Sequence, residues 1–178
     1  EVPKEKRGAI LGAWGGIDAA LDGTHVLDAS YIPSPGGATV DCVGAYGKQC
    51  GLPSTVSGST GGPTPEDRFV QRTTWTYGDF DVSYAWRYLS GADLDPTQAA
   101  DTDPESASID AVSYLDLNAS WQITDWAKLK FGVTNVTDEE APFVVTETGS
   151  TTFNSGNTYP STYDVLGRVF TVGVTTKF

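Results

Sequence analysis

The residues able to do chemistry in this chain are few. His25 is the only histidine, against 23 acidic and 11 basic residues. No nucleophile–base pair and no Gly-rich phosphate loop accompanies it, so catalysis has no support and no cofactor is implied. Cys42 and Cys50 lie in a Gly- and Pro-rich stretch with no histidine or further cysteine nearby, which makes a zinc site a poor fit. A disulfide clipping a long surface loop is the natural reading and implies an oxidising compartment. The alternative is a pair of thiols in a reducing one.

The charge is equally restrictive. A formal net charge of −12 and a pI near 4.2 disfavour nucleic acid as a partner, since that needs a basic footprint. The acid is concentrated in Asp93, Asp95, Asp101, Asp103, Glu105 and Asp110, and again in Asp138, Glu139 and Glu140. Carboxylates at this density could bind calcium, but their spacing fits no EF-hand loop, and solvated acidic loops are the better reading. Arg87 and Arg168 could meet an anionic ligand or pair with a carboxylate such as Asp116, and the structural role is favoured. Tyr31, Tyr46, Phe143, Phe153 and Tyr159 could line a binding vestibule, because exposed aromatics mark binding surfaces. Asn118-Ala-Ser120 and Asn135-Val-Thr137 match the glycosylation sequon, and both fall on predicted strands, where chance explains them best.

The elements that carry these residues follow a period of two. Phe170, Val172, Val174, Thr176 and Phe178 alternate with Thr171, Gly173, Thr175 and Lys177. Leu129, Phe131 and Val133 do the same, as do Leu115 to Ile123, Val82 to Tyr88, and Phe69 to Tyr77. A weaker Gly- and Ala-rich segment runs from about Ala9 to Leu27. These make six strands, most of about ten residues, the length a tilted strand needs to cross a bilayer. No run of about 18 apolar residues offers a membrane helix; no signal peptide is visible in the charged stretch from Glu1, so an exported protein would be represented here by its mature form or a fragment.

The predicted connections alternate long and short: 28–67, a turn at 77–80, 89–112, a turn at 124–127, then 138–163. Short turns on one side and long loops on the other are the signature of an outer-membrane barrel. The expected fold is all-β, an antiparallel up-and-down transmembrane β-barrel section of about six strands, incomplete as a barrel. Trp75, Tyr77, Phe80, Trp126 and Phe178 would form a lower aromatic girdle, and Tyr88 and Tyr114 an upper one. Leu117, Trp121, Phe131, Val172 and Val174 should face outward, and Asn118, Gln122, Lys130, Thr171 and Thr175 inward. The competing architecture is a secreted, soluble all-β binding module with one disulfide, of a carbohydrate-binding kind.

A series of short motifs resembles the carboxyl-terminal part of TonB-dependent outer-membrane receptors. In order, these are the loop Asp41 to Gly51 with its two cysteines, Arg68, Trp75, Gly78-Asp79-Phe80, Trp86-Arg87-Tyr88, Tyr114-Leu115-Asp116-Leu117, Gly132-Val133-Thr134-Asn135-Val136-Thr137-Asp138, Tyr163-Asp164-Val165-Leu166-Gly167-Arg168 and Lys177-Phe178. Val136-Thr137 departs from the family's usual Leu-Phe. The resemblance implies active uptake of a scarce solute such as a ferric siderophore, cobalamin or an oligosaccharide, and a location in the bacterial outer membrane. It implies outer-membrane lipid, a plug domain, TonB and the outer-membrane insertion machinery as partners, besides the small-molecule ligand. Residues 1–178 would be one barrel section, with plug and TonB box absent, and Phe178 would be the assembly signal. Six strands leave two open edges, which lipid cannot satisfy.

Overall fold

The computed structural model describes residues 15–32, 34–47, 50, 61–95, 99, 104, 107–144 and 157–177. In chain order its strands are β1 (Gly16–His25), β2 (Ser30–Tyr31), β3 (Val40–Asp41), β4 (Ala45–Gly47), β5 (Gly61–Thr64) and β6 (Asp67–Tyr77). They continue with β7 (Phe80–Leu89), β8 (Ala92–Leu94), β9 (Ser108–Ile109), β10 (Val112–Thr124), β11 (Ala127–Thr134) and β12 (Val169–Thr176). The six long strands are those the alternation predicts. They form one antiparallel sheet in the order β1-β6-β7-β10-β11-β12, with β1 and β12 at its edges.

Both tight turns fall where expected. Tyr77 pairs with Phe80 across Gly78 and Asp79. Gly78 has φ +58°, as the first turn position of a two-residue II′ hairpin requires, and that suits glycine. Thr124 pairs with Ala127 across Asp125 and Trp126, with a register irregularity at Gln122–Thr124.

Register then sorts the side chains. Cross-strand partners share a face, so Ile17 meets Trp75, Trp75 meets Val82, Val82 meets Ala119, Ala119 meets Phe131, and Phe131 meets Val172. That row is apolar from one edge of the sheet to the other. Leu117, Trp121, Phe131, Val172 and Val174 all lie on this face and are exposed, Val172 by 71%. One residue along, Asp18, Thr74, Ser83, Asn118, Gly132 and Thr171 make an equally continuous polar row. Sheets of soluble proteins bury such an apolar face. Among the described residues nothing covers this one.

The long connections are more structured than alternation can reveal. β5-β4-β8-β9 form a second sheet, with β4 and β8 parallel, and β2 pairs with β3. All three connections feed one core: Tyr46 from the first, Ala92, Leu94 and Ile109 from the second, Val144, Tyr159 and Tyr163 from the third. Val112 and Tyr114 of β10 root that core in the main sheet. Tyr114 therefore corrects the expected upper girdle. It is only 1% exposed and shares the polar face with its cross-strand partner Arg87. Its even-numbered position puts it with Asp116 and Asn118, opposite the outward row, so parity excludes it from any belt on that row.

Gly132 marks the tightest point of the polar face. A Cβ there would lie 2.5 Å from Thr171 Oγ1 and 2.9 Å from Asn118 Oδ1. Gly132→Ala should destabilise the β10–β11–β12 region by about 1–3 kcal/mol. Equilibrium unfolding in detergent micelles measures it, and an unchanged midpoint would contradict this packing.

Candidate functional site

The polar face gathers its charge where β7 and β10 meet the third long connection. Arg87 donates to Asp116 through Nε to Oδ2 at 2.9 Å and Nη2 to Oδ1 at 3.0 Å, a two-point fork. Its guanidinium also lies over the Tyr114 ring, 4.9 Å from the centroid. Asp164 approaches Arg87 Nη2 at 3.6 Å, and its backbone N–H donates to the Tyr114 hydroxyl at 3.2 Å. Asp116 is more than a counter-ion, since its Oδ1 accepts the Asn135 backbone N–H at 2.9 Å.

Asn135 in turn organises the end of β11. It is fully buried with φ +53°, a left-handed conformation that asparagine tolerates better than most residues. Its side chain brackets Glu139, with Oδ1 accepting the Glu139 N–H and Nδ2 donating to the Glu139 carbonyl, both at 2.9 Å. That amide is committed, so the second sequon is a turn-forming asparagine. Asn118 of the first sequon lies on the polar face beside Gly132.

Arg168 pairs with Asp138, at 3.6 Å through Nη2, and its backbone N–H donates to the same carboxylate at 2.8 Å. The expectation that Arg87, Asp116 and Arg168 could pair is thus met by Arg87 and Asp116 together, with Arg168 on a separate partner. Asp164, Asn135 and Asp138 complete the network and were not singled out as site residues by sequence reasoning. Their signal lay in the motifs Tyr163-Asp164 and Asn135 to Asp138, which no periodicity marks. Lower on the same face, Asp81 accepts from Lys128 Nζ and Ser120 Oγ at 2.9 Å each and Thr76 Oγ1 at 3.0 Å. Spacing gave no hint of that group, because it draws on four strands.

Cys42 and Cys50 are disulfide-bonded, with Cα atoms 5.1 Å apart, as the sequence led us to expect. The bridge is buried against Ala45, with Ala29, Tyr31 and Val40 packed on it. β4 lies inside the loop it closes, so the bridge clamps a central strand of the loop sheet.

The five aromatics considered for a vestibule separate. Tyr46 and Tyr159 are buried edge-to-face, 6.2 Å between centroids, and shape the loop core from within. Tyr31 is half-buried on the disulfide and Phe143 is exposed. Phe153 and Phe178 lie outside the described residues. Burial raises the phenol of Tyr46, pushes Tyr159 up to about 12, and pushes Tyr163 higher still. The hydroxyls of Thr158, Tyr159 and Tyr163 are buried and have no hydrogen-bond partner among the described residues.

Beside Arg87 opens a groove of about 430 Å³, walled by Asp22, Thr24, Arg68, Val70, Leu89 and Thr162 among others. The groove opens on the polar face, with Asp22, Thr24, Arg68, Val70, Arg87 and Leu89 in register there.

No protein-family model matches this chain, and no curated protein does. Solved structures similar to this chain by their fold alone include two transport proteins. One is the ferric-catecholate import receptor Fiu from E. coli K12, at 15% identity and a TM-score of 0.48, covering 79% of this chain and 17% of that one. The other is the copper transporter OprC, at 16% identity and a TM-score of 0.46, covering 94% of this chain and 22% of that one. The chain thus spans less than a quarter of the length of either structure. Its own architecture is an all-β, six-stranded antiparallel sheet, up-and-down in connectivity and open at both edges.

Two outcomes follow from the site. Replacing both Cys42 and Cys50 by serine removes a constraint whose chain-entropy worth is about 2–3 kcal/mol. Hydrogen exchange should rise in 40–47 and 92–94 while the long strands stay protected, and uniform loosening would contradict the clamp. The tyrosines set an alkaline limit. A phenol whose folded pKa is raised stabilises the fold below its unfolded pKa, near 10, and that contribution is lost as pH rises through the folded value. The loop core should therefore weaken between roughly pH 10 and 12. Absorbance of the phenolates should show Tyr159→Phe removing one late-titrating group without loss of stability at neutral pH, because its hydroxyl has no partner among the described residues to lose.

Proposed function

We propose that this chain is the carboxyl-terminal section of the barrel of a TonB-dependent outer-membrane receptor that takes up a scarce solute. The observation that carries the reading is the uncovered apolar face. It extends over six strands and is bounded at the turn end by Trp75, Tyr77, Phe80, Trp121 and Trp126, each at least 42% exposed. Trp75 stacks on Tyr77 and Phe80 on Trp121. Amphipathic aromatics belong at a membrane–water interface.

The height of the face agrees. From Phe80 to Tyr88 the strand advances about 27 Å at ~3.4 Å per residue. At a tilt near 40° that is roughly 20 Å along the membrane normal, comparable to the ~25 Å apolar band of such barrels. Short turns at one end and one large loop body at the other fit a periplasmic and an extracellular side. The ordered motifs from Cys42 to Lys177-Phe178 support the particular family.

In this reading β1 and β12 pair with further strands, the polar face meets a plug domain and the solute's route, and TonB drives transport through that plug. Phe178 is then what the insertion machinery recognises. The solute is a ferric siderophore, cobalamin or an oligosaccharide. A soluble carbohydrate-binding module would have to leave this apolar face in water, where patches beyond a few hundred Å² are rare.

The experiment compares neighbouring positions on opposite faces. Val172→Arg places a charge on the apolar side at a cost of about 2–4 kcal/mol, while Thr171→Arg on the polar side is permissive. Folding into lipid vesicles should fail for the first and proceed for the second. Equal tolerance, or a chain that is monomeric and cooperative in buffer without detergent, would sink the membrane reading.

A further inference from the structure

The outward face is not apolar throughout. On β6, Gln71 and Thr73 share it with Leu21 and Ala19 of β1 and with Trp86 and Tyr84 of β7. Thr73 lies midway between the Tyr77–Phe80 pair at the turn end and the Phe69–Tyr88 pair at the loop end, with Gln71 one step above it on the same face. Phe69 and Tyr88 stack, 4.9 Å between centroids, and mark an upper aromatic level as Tyr77 and Phe80 mark the lower one. Gln71 and Thr73 therefore fall inside the band that acyl chains surround.

Gln71 Nε2 donates to Thr73 Oγ1 at 2.6 Å. The second amide N–H and the amide oxygen have no partner among the described residues, and neither has the Tyr84 hydroxyl. The nearest cross-strand neighbours offer none: Leu21 is apolar, and Trp86 Nε1 already donates to Ser113 Oγ at 3.0 Å. The same two levels are hydrocarbon elsewhere, with Ala19, Leu117, Val133 and Phe170 beside Thr73 and Tyr84, and Leu21 and Leu115 beside Gln71 and Trp86. Acyl chains cannot replace the hydrogen bonds that a carboxamide gives up on leaving water, so one left unmet at this depth is costly.

We propose that the polar island of Gln71, Thr73 and Tyr84 is where two copies of this protein meet within the membrane. This rests on the apolar face being the lipid face. A two-fold axis along the membrane normal sets each residue opposite its own copy at the same depth. A carboxamide carries both donor and acceptor, so the Gln71 amides of the two copies complete one another. A partner of another sequence would have to match both depth and polarity, whereas a second copy matches them by symmetry. As between membrane helices, such polar ties work where small neighbours let backbones approach, and Ala19 and Gly23 leave that room on β1.

Cross-linking and sedimentation test it on the whole chain. Both native cysteines are held in the bridge, so one added thiol reports alone. In lipid vesicles under mild oxidation, Thr73→Cys should give a covalent dimer. Val133→Cys, at the same depth on β11, should not. Sedimentation equilibrium in micelles should show Gln71→Leu associating about tenfold more weakly than the native chain while inserting into vesicles equally well. Association through the open edges of β1 and β12 would survive Gln71→Leu, so an unchanged constant overturns the proposal, as does equal cross-linking at positions 73 and 133. A chain that inserts into vesicles yet stays single has lipid over the island and loses this inference alone. One that is monomeric and cooperative in buffer without detergent loses the membrane reading, and this inference with it.

Discussion

Strand register is the constraint on which the rest of the structure depends. Because every cross-strand partner shares a face, six separately amphipathic strands become one apolar surface and one polar surface only if all five pairings are correct together. A slip of one residue at β7–β10 would set Asn118 among Val82 and Tyr84 and turn Trp121 inward. The register is held on the polar side. The Arg87–Asp116 fork joins β7 to β10, and Asp81 joins β6, β7, β10 and β11 through Thr76, Ser120 and Lys128. Ionic groups of this kind add little net stability where water reaches them. Their geometry nevertheless penalises every other register, since a slipped strand would strand a charge.

That division of labour explains why the chain puts its chemistry where it does. The apolar face needs only shape and hydrophobicity, so aromatics, Val and Leu are interchangeable there within limits. The polar face is specified atom by atom, and Asp116 is where its network leaves the sheet. One of its oxygens serves Arg87 and Asn135 together, linking the sheet to the turn after β11. Through Asn135, Asp138 and Arg168 the same network reaches the start of β12. Through Tyr114 and Asp164 it reaches the loop core. The loops are thus extensions of the polar face rather than separate appendages.

The sheet was legible in the sequence because alternation over eight or more residues has no other explanation, and because glycine at 78 and the Asp125-Trp126 pair punctuate it. The loop body was not legible. β2, β3 and β9 are two residues long, β4 contains Gly47, and β5 contains Pro63, so none offers a period to count. Their pairing is set by partners distant in sequence, as when Ala45 meets Asp93 in the parallel β4–β8 contact. Tyr46 and Tyr159 illustrate the cost. As loop aromatics they read as a binding surface, but three connections fold over them and make them core. The cysteine pair was the exception, because proximity in sequence already restricts a bridge to a small loop.

The two halves of the molecule also differ in what can move. In the main sheet each interior strand is bonded on both sides, so local opening there breaks two ladders at once. The loop body has short strands and three buried hydroxyls with no partner among the described residues. Low local stability is where binding-linked motion is drawn from. The disulfide limits that motion to one side. It clamps β4, while the arm that brings Tyr163 to the core carries no such covalent tie. The bridged segment is therefore the fixed side of the loop body, and Asp164, beside Arg87 and bonded through its N–H to Tyr114, is where that body joins the polar face.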